Sequence, residues 1–260
     1  MRAPFADICC TEQFTPEPSI MHIRTEPSIL YFGTPVVLIS TANADGSYNL
    51  APMSSAFWLG WRCILGLAAH SKTPQNMLRT RECVLNLPDV GCASLVDKLA
   101  LTTGSDPVPD SKRARGYRCE KDKFGISEFT PVPSETVAPP RVKQCPVQME
   151  CVVEAHHDLA GNDAALRGRV QIFEVRVQRV YCEQRILNPA DPNKVDPDRW
   201  RPLIMSFQRF YGLAPEQVHE STLGTVPEHL YRGPDIDRSR TLSERSEGAH
   251  GIRLDGSRAY

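Results

Sequence analysis

The 260-residue sequence predicts a mainly β protein with peripheral helices, of the α+β class, built on an antiparallel sheet. Three observations predict it. Short β-branched or alternating apolar runs recur between turn signals, at 36–40, 63–69, 83–87, 147–154 and 170–182. Asp45-Gly46 sits between two such runs and is a hairpin signal of the type that needs positive φ. The helical patterns, near 74–81 and 92–101, are short and isolated. An open antiparallel sheet exposes its edges, so closure into a barrel or pairing across a dimer is expected.

Taken in order, Val36 to Ser40 is a β-branched run, and Ser47 to Met53 returns antiparallel after the turn. Cys63 to Ala69 is a continuous apolar run of strand length that ends at His70-Ser71-Lys72. A helix follows, from Pro74 to Arg81, with Thr73 as its N-cap and Pro74 at the first helical position, where a missing N–H loses no bond. Cys83, Leu85 and Leu87 alternate with Val84 and Asn86 until Pro88 stops the strand. Cys92 to Leu101 reads as a helix with Leu95, Val96, Leu99 and Ala100 as its apolar stripe. Gly104 to Arg118 is a charged loop, in which Arg113 and Arg115 are candidates for an anionic ligand. Proline makes 131–146 an extended connector.

In the next strand Val147, Met149, Cys151 and Val153 face one way, and Gln148, Glu150 and Glu154 the other, as on a sheet with one wet side. Val170 to Cys182 changes phase at Ile172-Phe173, where a bulge is expected. Pro202 to Tyr211 reads as a further apolar, aromatic strand. Beyond Arg232 the tail is rich in Arg, Ser, Glu and Gly and is expected to be disordered.

Function is carried by two segments, Asn49 to Phe57 and Ser71 to Asn76. Ser71-Lys72-Thr73 opens a helix, where free backbone N–H groups, two hydroxyls and an ammonium converge on the same physics that cradles a phosphate. No G-x-x-x-x-G-K-[ST] run is present, which argues against a nucleoside triphosphatase. The same local signal also describes an ordinary capped surface helix.

The ordered set Asn49-x-Ala51-Pro52-x-Ser54, Phe57, Ser71-Lys72-Thr73-x-x-Asn76 and Val84-Leu85-Asn86-Leu87-Pro88 resembles the flavin reductase-like, FMN-binding split-barrel family over residues 29–213. That family includes flavoredoxin and the small flavin reductases that supply monooxygenases. The resemblance implies an FMN-binding split β-barrel, a Greek-key-like antiparallel barrel, flanked by extensions at 1–28 and 214–260. It implies that Asn49, Ala51, Pro52, Met53, Ser54, Ser55 and Phe57 line the flavin ring, and that Ser71, Lys72, Thr73 and Asn76 hold its phosphate. It implies a homodimer with flavin near the interface. Where many members carry a Pro-Pro pair, this chain reads Leu59-Gly60-Trp61-Arg62-Cys63, so Trp58 and Trp61 either narrow the pocket or pack beneath the loop, and Arg62 is free to pair with a surface acid. His156 and His157, in the region of a late family motif, are candidates for the substrate side, or else solvated turn residues. Phe207, Arg209 and Tyr211 are further candidates, with core or interface packing as the alternative.

Flavin chemistry needs backbone donors near the reducing ring and a stacked partner ring rather than a side-chain acid or base, so no catalytic side chain is assigned. Three functions fit: an enzyme taking hydride from NADH or NADPH and reducing flavin or a small organic acceptor, with a monooxygenase as possible partner; an FMN electron carrier without a nicotinamide site; or a non-redox barrel for a phosphate ligand. No G-x-G-x-x-G fingerprint distinguishes the two nicotinamides. A net charge of −1 and pI near 6.7 give no reason to invoke nucleic acid or a membrane surface. No apolar stretch reaches bilayer length and the N-terminus lacks an apolar signal core, so a cytoplasmic protein is expected. The nine cysteines form no Cys-x-x-Cys and the histidines are scattered, which leaves no metal site and points to reduced packing thiols.

Overall fold

A computed structural model describes residues 21–251, with side chains to 242; the Cys9-Cys10 pair and residues 252–260 lie outside them. Residues 21–30 stand apart from the second unit and carry no helix or strand, and that second unit begins at Tyr31. In that second unit β1 (Phe32–Pro35), β2 (Val37–Ala42), β3 (Tyr48–Met53), β4 (Ala56–Leu59) and β5 (Arg62–Ala68) precede α1 (Lys72–Thr80) and β6 (Glu82–Leu87). Short pieces follow: α2 (Ala93–Asp97), β7 (Thr102–Thr103), α3 (Asp110–Arg113), β8 (Arg118–Cys119), α4 (Lys123–Ser127), β9 (Pro131–Val132) and β10 (Arg141–Val142). The long strands β11 (Val147–Asp158) and β12 (Val170–Cys182) come next, then β13 (Leu187–Asn188), β14 (Asp191–Val195), β15 (Ile204–Ser206), β16 (Arg209–Tyr211) and α5 (Pro234–Gly251).

The main sheet has seven strands in the order β3-β2-β6-β11-β12-β5-β4, all neighbours antiparallel. Its two edge strands are consecutive in sequence and joined only by Ser54-Ser55. Laid flat, six strand spacings would hold those edges about 29 Å apart. Three Cα steps from Met53 to Ala56 reach at most about 11 Å. The sheet therefore curls into a barrel whose seam lies between β3 and β4. Asp45-Gly46 forms the expected β2–β3 turn, with Gly46 at φ +84.

The inner cluster is built from alternate residues: Val37 and Ile39, Leu65 and Leu67, Leu85, Phe173 and Val175, closed by Met77 from α1. A second cluster covers the outside of β2 with Leu38, Leu50, Val96, Leu99, Phe124, Val142 and Leu203. Each fully buried Leu or Phe contributes about 1.5–3 kcal/mol, so the two layers together anchor β2 from both faces. The inner cluster also takes Cys63, Cys83 and Cys151; burial, then the neighbouring Cys83, pushes the Cys63 thiol up to about 12.

Several expectations change. Helix α1 begins at Lys72 with Ser71 as N-cap, so Thr73 sits inside its first turn rather than capping it, and Pro74 is its third residue rather than its first. The strand Val147–Glu154 has no simple wet side: Glu150 is buried beneath the proline-rich connector and accepts bonds from the Glu135 and Thr136 amides (3.0 and 2.7 Å) and the Thr136 hydroxyl (2.6 Å). Ile172-Phe173 is no bulge; the irregularities fall opposite Glu150/Cys151 and at Val153/Ala155, and the two adjacent apolar residues reflect two covered faces. Pro202 to Tyr211 is not one strand but the hairpin β15–β16, turned by Phe207 and Gln208 at φ +45 and +64. The predicted helix Cys92 to Leu101 is regular only over Ala93–Asp97, after a 3-10 turn.

Of the tail beyond Arg232, 252–260 lie outside the described residues and Pro234–Gly251 is the helix α5, whose first turns lie against β12. Arg62 accounts for this: its guanidinium pairs with Glu174 and with Asp235 (2.9 Å), while the Ser239 hydroxyl donates to the Gln178 carbonyl. A helix with so little apolar surface is read from sequence as solvent-borne; it is long-range pairing that docks it.

Candidate functional site

A cavity of about 830 Å³ opens at the barrel seam. Its floor is apolar and small, made of Ile64, Gly66 and Ala68 from β5 with Val170 and Ile172 from β12. One wall is the chain from Ala51 through Phe57, the two edge strands and the link between them. The opposite end is polar: Ser71, Lys72 and Thr73 at the start of α1, and Thr102, Thr103 and Gly104 beyond α2. Phe57 is 53 % exposed at the rim. A smaller apolar cavity of about 210 Å³ adjoins, sharing Tyr31 and Pro52 to Ser55 and closed by Met205 and Phe210.

The polar end is held by a small network. Asn49 is 2 % exposed, and its amide donates to the Thr73 hydroxyl (3.1 Å) and more weakly to Thr41 (3.4 Å). Asn76 donates to Thr41 (3.0 Å) and Asn43 (2.8 Å), so it fastens α1 to β2 from behind. Gly104 closes against this corner; a Cβ there would stand 2.7 Å from Asn49 Oδ1 and 3.1 Å from Lys72 Cγ. Only a glycine fits. Two polar atoms in the walls, Thr34 Oγ1 and Asn49 Oδ1, are buried with no hydrogen-bond partner among the described residues. Leaving such atoms unpaired costs about 1–3 kcal/mol each, which a ligand offering polar groups relieves.

Electrostatically the pocket is one-sided. Lys72, Lys112, Arg115 and Lys123 line it, and among the described residues no carboxylate does. Lys112 donates to the Thr103 hydroxyl (3.2 Å) and lies over the Tyr117 ring with Arg115. Lys123, at the start of α4, is only 3 % exposed. Burial, and then the charge of Lys112, brings its ammonium down to about 8, and burial followed by Arg115 lowers that of Lys112. Such a pocket suits a ligand with an apolar part and at least one anionic group.

A family model described as flavin reductase like domain matches residues 29–214. The chain belongs to the flavin reductase-like family. Its barrel is the split barrel found in flavin reductases, and the coarse class that follows is a flavin-related oxidoreductase. YdfE of Bacillus subtilis (strain 168) is 35% identical to it over 191 residues, 74% of this chain and 89% of YdfE. Flavoredoxin from Methanosarcina acetivorans has the same fold, with a TM-score of 0.62 at 16% identity over 79% of this chain and 97% of that one. Nitrilotriacetate monooxygenase component B from Bacillus cereus gives 0.59 at 18% identity over 74% and 89%.

In this flavin reductase-like chain the pocket gathers most of the residues singled out from sequence: Asn49, Ala51, Pro52, Met53, Ser54, Ser55, Phe57, Ser71, Lys72 and Thr73 all line it. Asn76 does not reach it and instead supports Thr41 and Asn43. The outer candidates lie elsewhere. Trp58 and Trp61 pack against the inner cluster, because β4 and the turn after it direct them under the sheet. His156 and His157 are exposed near the end of β11, outside the lining. Phe207 sits at the hairpin turn, edge-on to Phe32 at 4.8 Å, while Arg209 and Tyr211 flank it on β16; their neighbour Phe210 reaches the smaller cavity. Of the two loop arginines, Arg115 lines the pocket and Arg113 pairs with Asp110.

Sequence reasoning missed Lys112, Tyr117 and Lys123. The run Lys112 to Arg115 marked the first as part of a charged loop, but nothing local marks Lys123, since a lysine among polar residues reads as solvated.

Proposed function

We propose that the chain binds FMN in the 830 Å³ pocket, accepts hydride from NADH or NADPH and reduces flavin or a small organic acceptor. The observation that carries this is the pocket itself: an apolar floor between the Ala51 to Phe57 wall and a cationic end with no carboxylate among the described residues. The donor set fits an isoalloxazine ring with a phosphate tail. Ser71, Lys72 and Thr73, with the first turn of α1, bind and neutralise the phosphate. The wall at the seam meets the ring with backbone groups, and orphaned Asn49 Oδ1 and Thr34 Oγ1 accept from ligand donors. When bound, FMN supplies the hydride chemistry; the side chains orient it and exclude water, and none is assigned as acid or base.

A homodimer fits the exposed Phe57 and Leu59 of edge strand β4, which a second copy would cover. A monooxygenase partner and a cytoplasmic setting, consistent with buried free thiols, complete the reading. Fluorescence titration of the protein with FMN, followed by anaerobic mixing of the complex with NADH and with NADPH, tests it. Saturable FMN binding and bleaching of the flavin band at a catalytically useful rate are expected. FMN binding without bleaching leaves the flavoredoxin-like carrier, a reading to which the likeness to a flavoredoxin structure lends support. A protein that takes up no flavin refutes both.

A further inference from the structure

Lys123 is the least expected residue in the pocket. An ammonium 3 % exposed, without an ion pair to any described carboxylate, is held in place at a cost in stability. Two further cations, Lys112 and Arg115, stand in the same lining, and Tyr117 lies under both. They are built into one frame: parallel pairing of β7 with β8 fixes Thr102-Thr103 against Arg118-Cys119. Tyr117 immediately precedes β8, α4 with Lys123 follows it, and Lys112 is bonded to Thr103. Lys72 belongs to another set, packed beside Gly104 at the Asn49 and Thr73 corner. One phosphate at that corner has Lys72, two hydroxyls and a helix start. The three remaining cations exceed what it needs; the charge of Glu120 acts on Lys123 only as a minor influence, behind burial and the repulsion from Lys112, so an arriving anion would relieve that repulsion.

We propose that Lys112, Arg115 and Lys123 form a second anion subsite in the pocket, separate from the Ser71-Lys72-Thr73 corner, which takes the carboxylate or phosphate of the molecule that exchanges electrons with the flavin. This rests on the flavin reading above and narrows its substrate class to an anionic one. Tyr117 supplies an aromatic face at the subsite, so a planar ring carrying an acid group, or the phosphates of a nicotinamide dinucleotide, matches its chemistry.

The test uses the FMN complex of the wild-type protein, of Lys123→Met, and of the double variant Lys112→Met/Arg115→Met, which replaces a half-buried and an exposed lining residue, neither of them in the two apolar clusters. Benzoate is titrated against the bound-flavin absorbance, and KM is measured for NADH and NADPH. Either benzoate affinity or a nicotinamide KM is expected to worsen about tenfold or more in both variants, the loss of a charge-assisted contact, while FMN affinity stays within about threefold. A benzoate effect identifies an organic-acid acceptor, and a KM effect a dinucleotide phosphate. If FMN affinity falls as far as in Lys72→Ala, the three cations serve the flavin phosphate and the subsite is refuted. Unchanged benzoate and nicotinamide responses with FMN still bound refute it and leave the flavin reading standing; a wild-type protein that binds no flavin removes both.

Discussion

Gly104→Ala places the sharpest demand on the site. The added methyl carbon would meet Asn49 Oδ1 at 2.7 Å and the Lys72 side chain at 3.1 and 3.3 Å. Ordinary contact needs about 3.5 Å, so Asn49 has to retreat by roughly 0.8 Å. It has no room, being buried and bonded to Thr73. Overpacking of this kind costs about 1–3 kcal/mol. If the Asn49–Thr73 bond breaks, about 1 kcal/mol more is lost. At this chain length that corresponds to a fall in Tm of roughly 2–16 °C. Because Thr73 and Lys72 move with the corner, FMN affinity should fall about tenfold, or 1.4 kcal/mol. Differential scanning calorimetry and fluorescence titration measure the two effects, with Gly224→Ala, whose methyl meets nothing within 4 Å, as control. A Gly104→Ala protein with the wild-type Tm and FMN affinity would refute the packing argument and the placement of the phosphate together.

Lys72→Ala should weaken FMN binding by about 1.5–3 kcal/mol without unfolding the chain, read by the same titration. Lys123→Met should raise the Tm of the ligand-free protein at pH 7, because it removes a buried charge. The wild-type lysine is charged in both folded and unfolded chains below about 8 and loses its proton in the folded chain first, so wild-type stability rises from there towards pH 10. The variant's advantage should shrink over that same window in Tm measured against pH. Arg62→Ala should change global stability by no more than about 1 kcal/mol, since its pairs are part-exposed, yet hydrogen exchange in 234–242 should quicken. Burial raises the Asp235 carboxyl, but bonding to Arg62 and the charges of Arg62 and Arg238 outweigh it and hold it below its usual value. The clasp is thus complete above about pH 4 and is lost as pH falls through that lowered value.

The near-sequence features were legible for a physical reason. Asp45-Gly46 dictates its turn, and Ser71 to Thr73 follows a strand directly, so local chemistry alone places both halves of the pocket wall. What escaped depends on distant partners. Glu150 reads as a wet-face residue until the connector covers it, and α5 reads as a free tail until Asp235 finds Arg62. Trp58 and Trp61 could only be assigned once the face of β4 was known. Lys123 needed the β7–β8 pairing, sixteen residues apart in register, before its burial had meaning.

The seam between β3 and β4 sets these strengths against one another. Hydrogen bonds drawn across it would complete the barrel and make the protein hardier, yet they would occupy the groups and space that line the pocket. A barrel that binds here has to remain unfinished. Selection for heat resistance alone should therefore drift towards closure at Ser54-Ser55, yielding sturdier proteins that no longer take a cofactor.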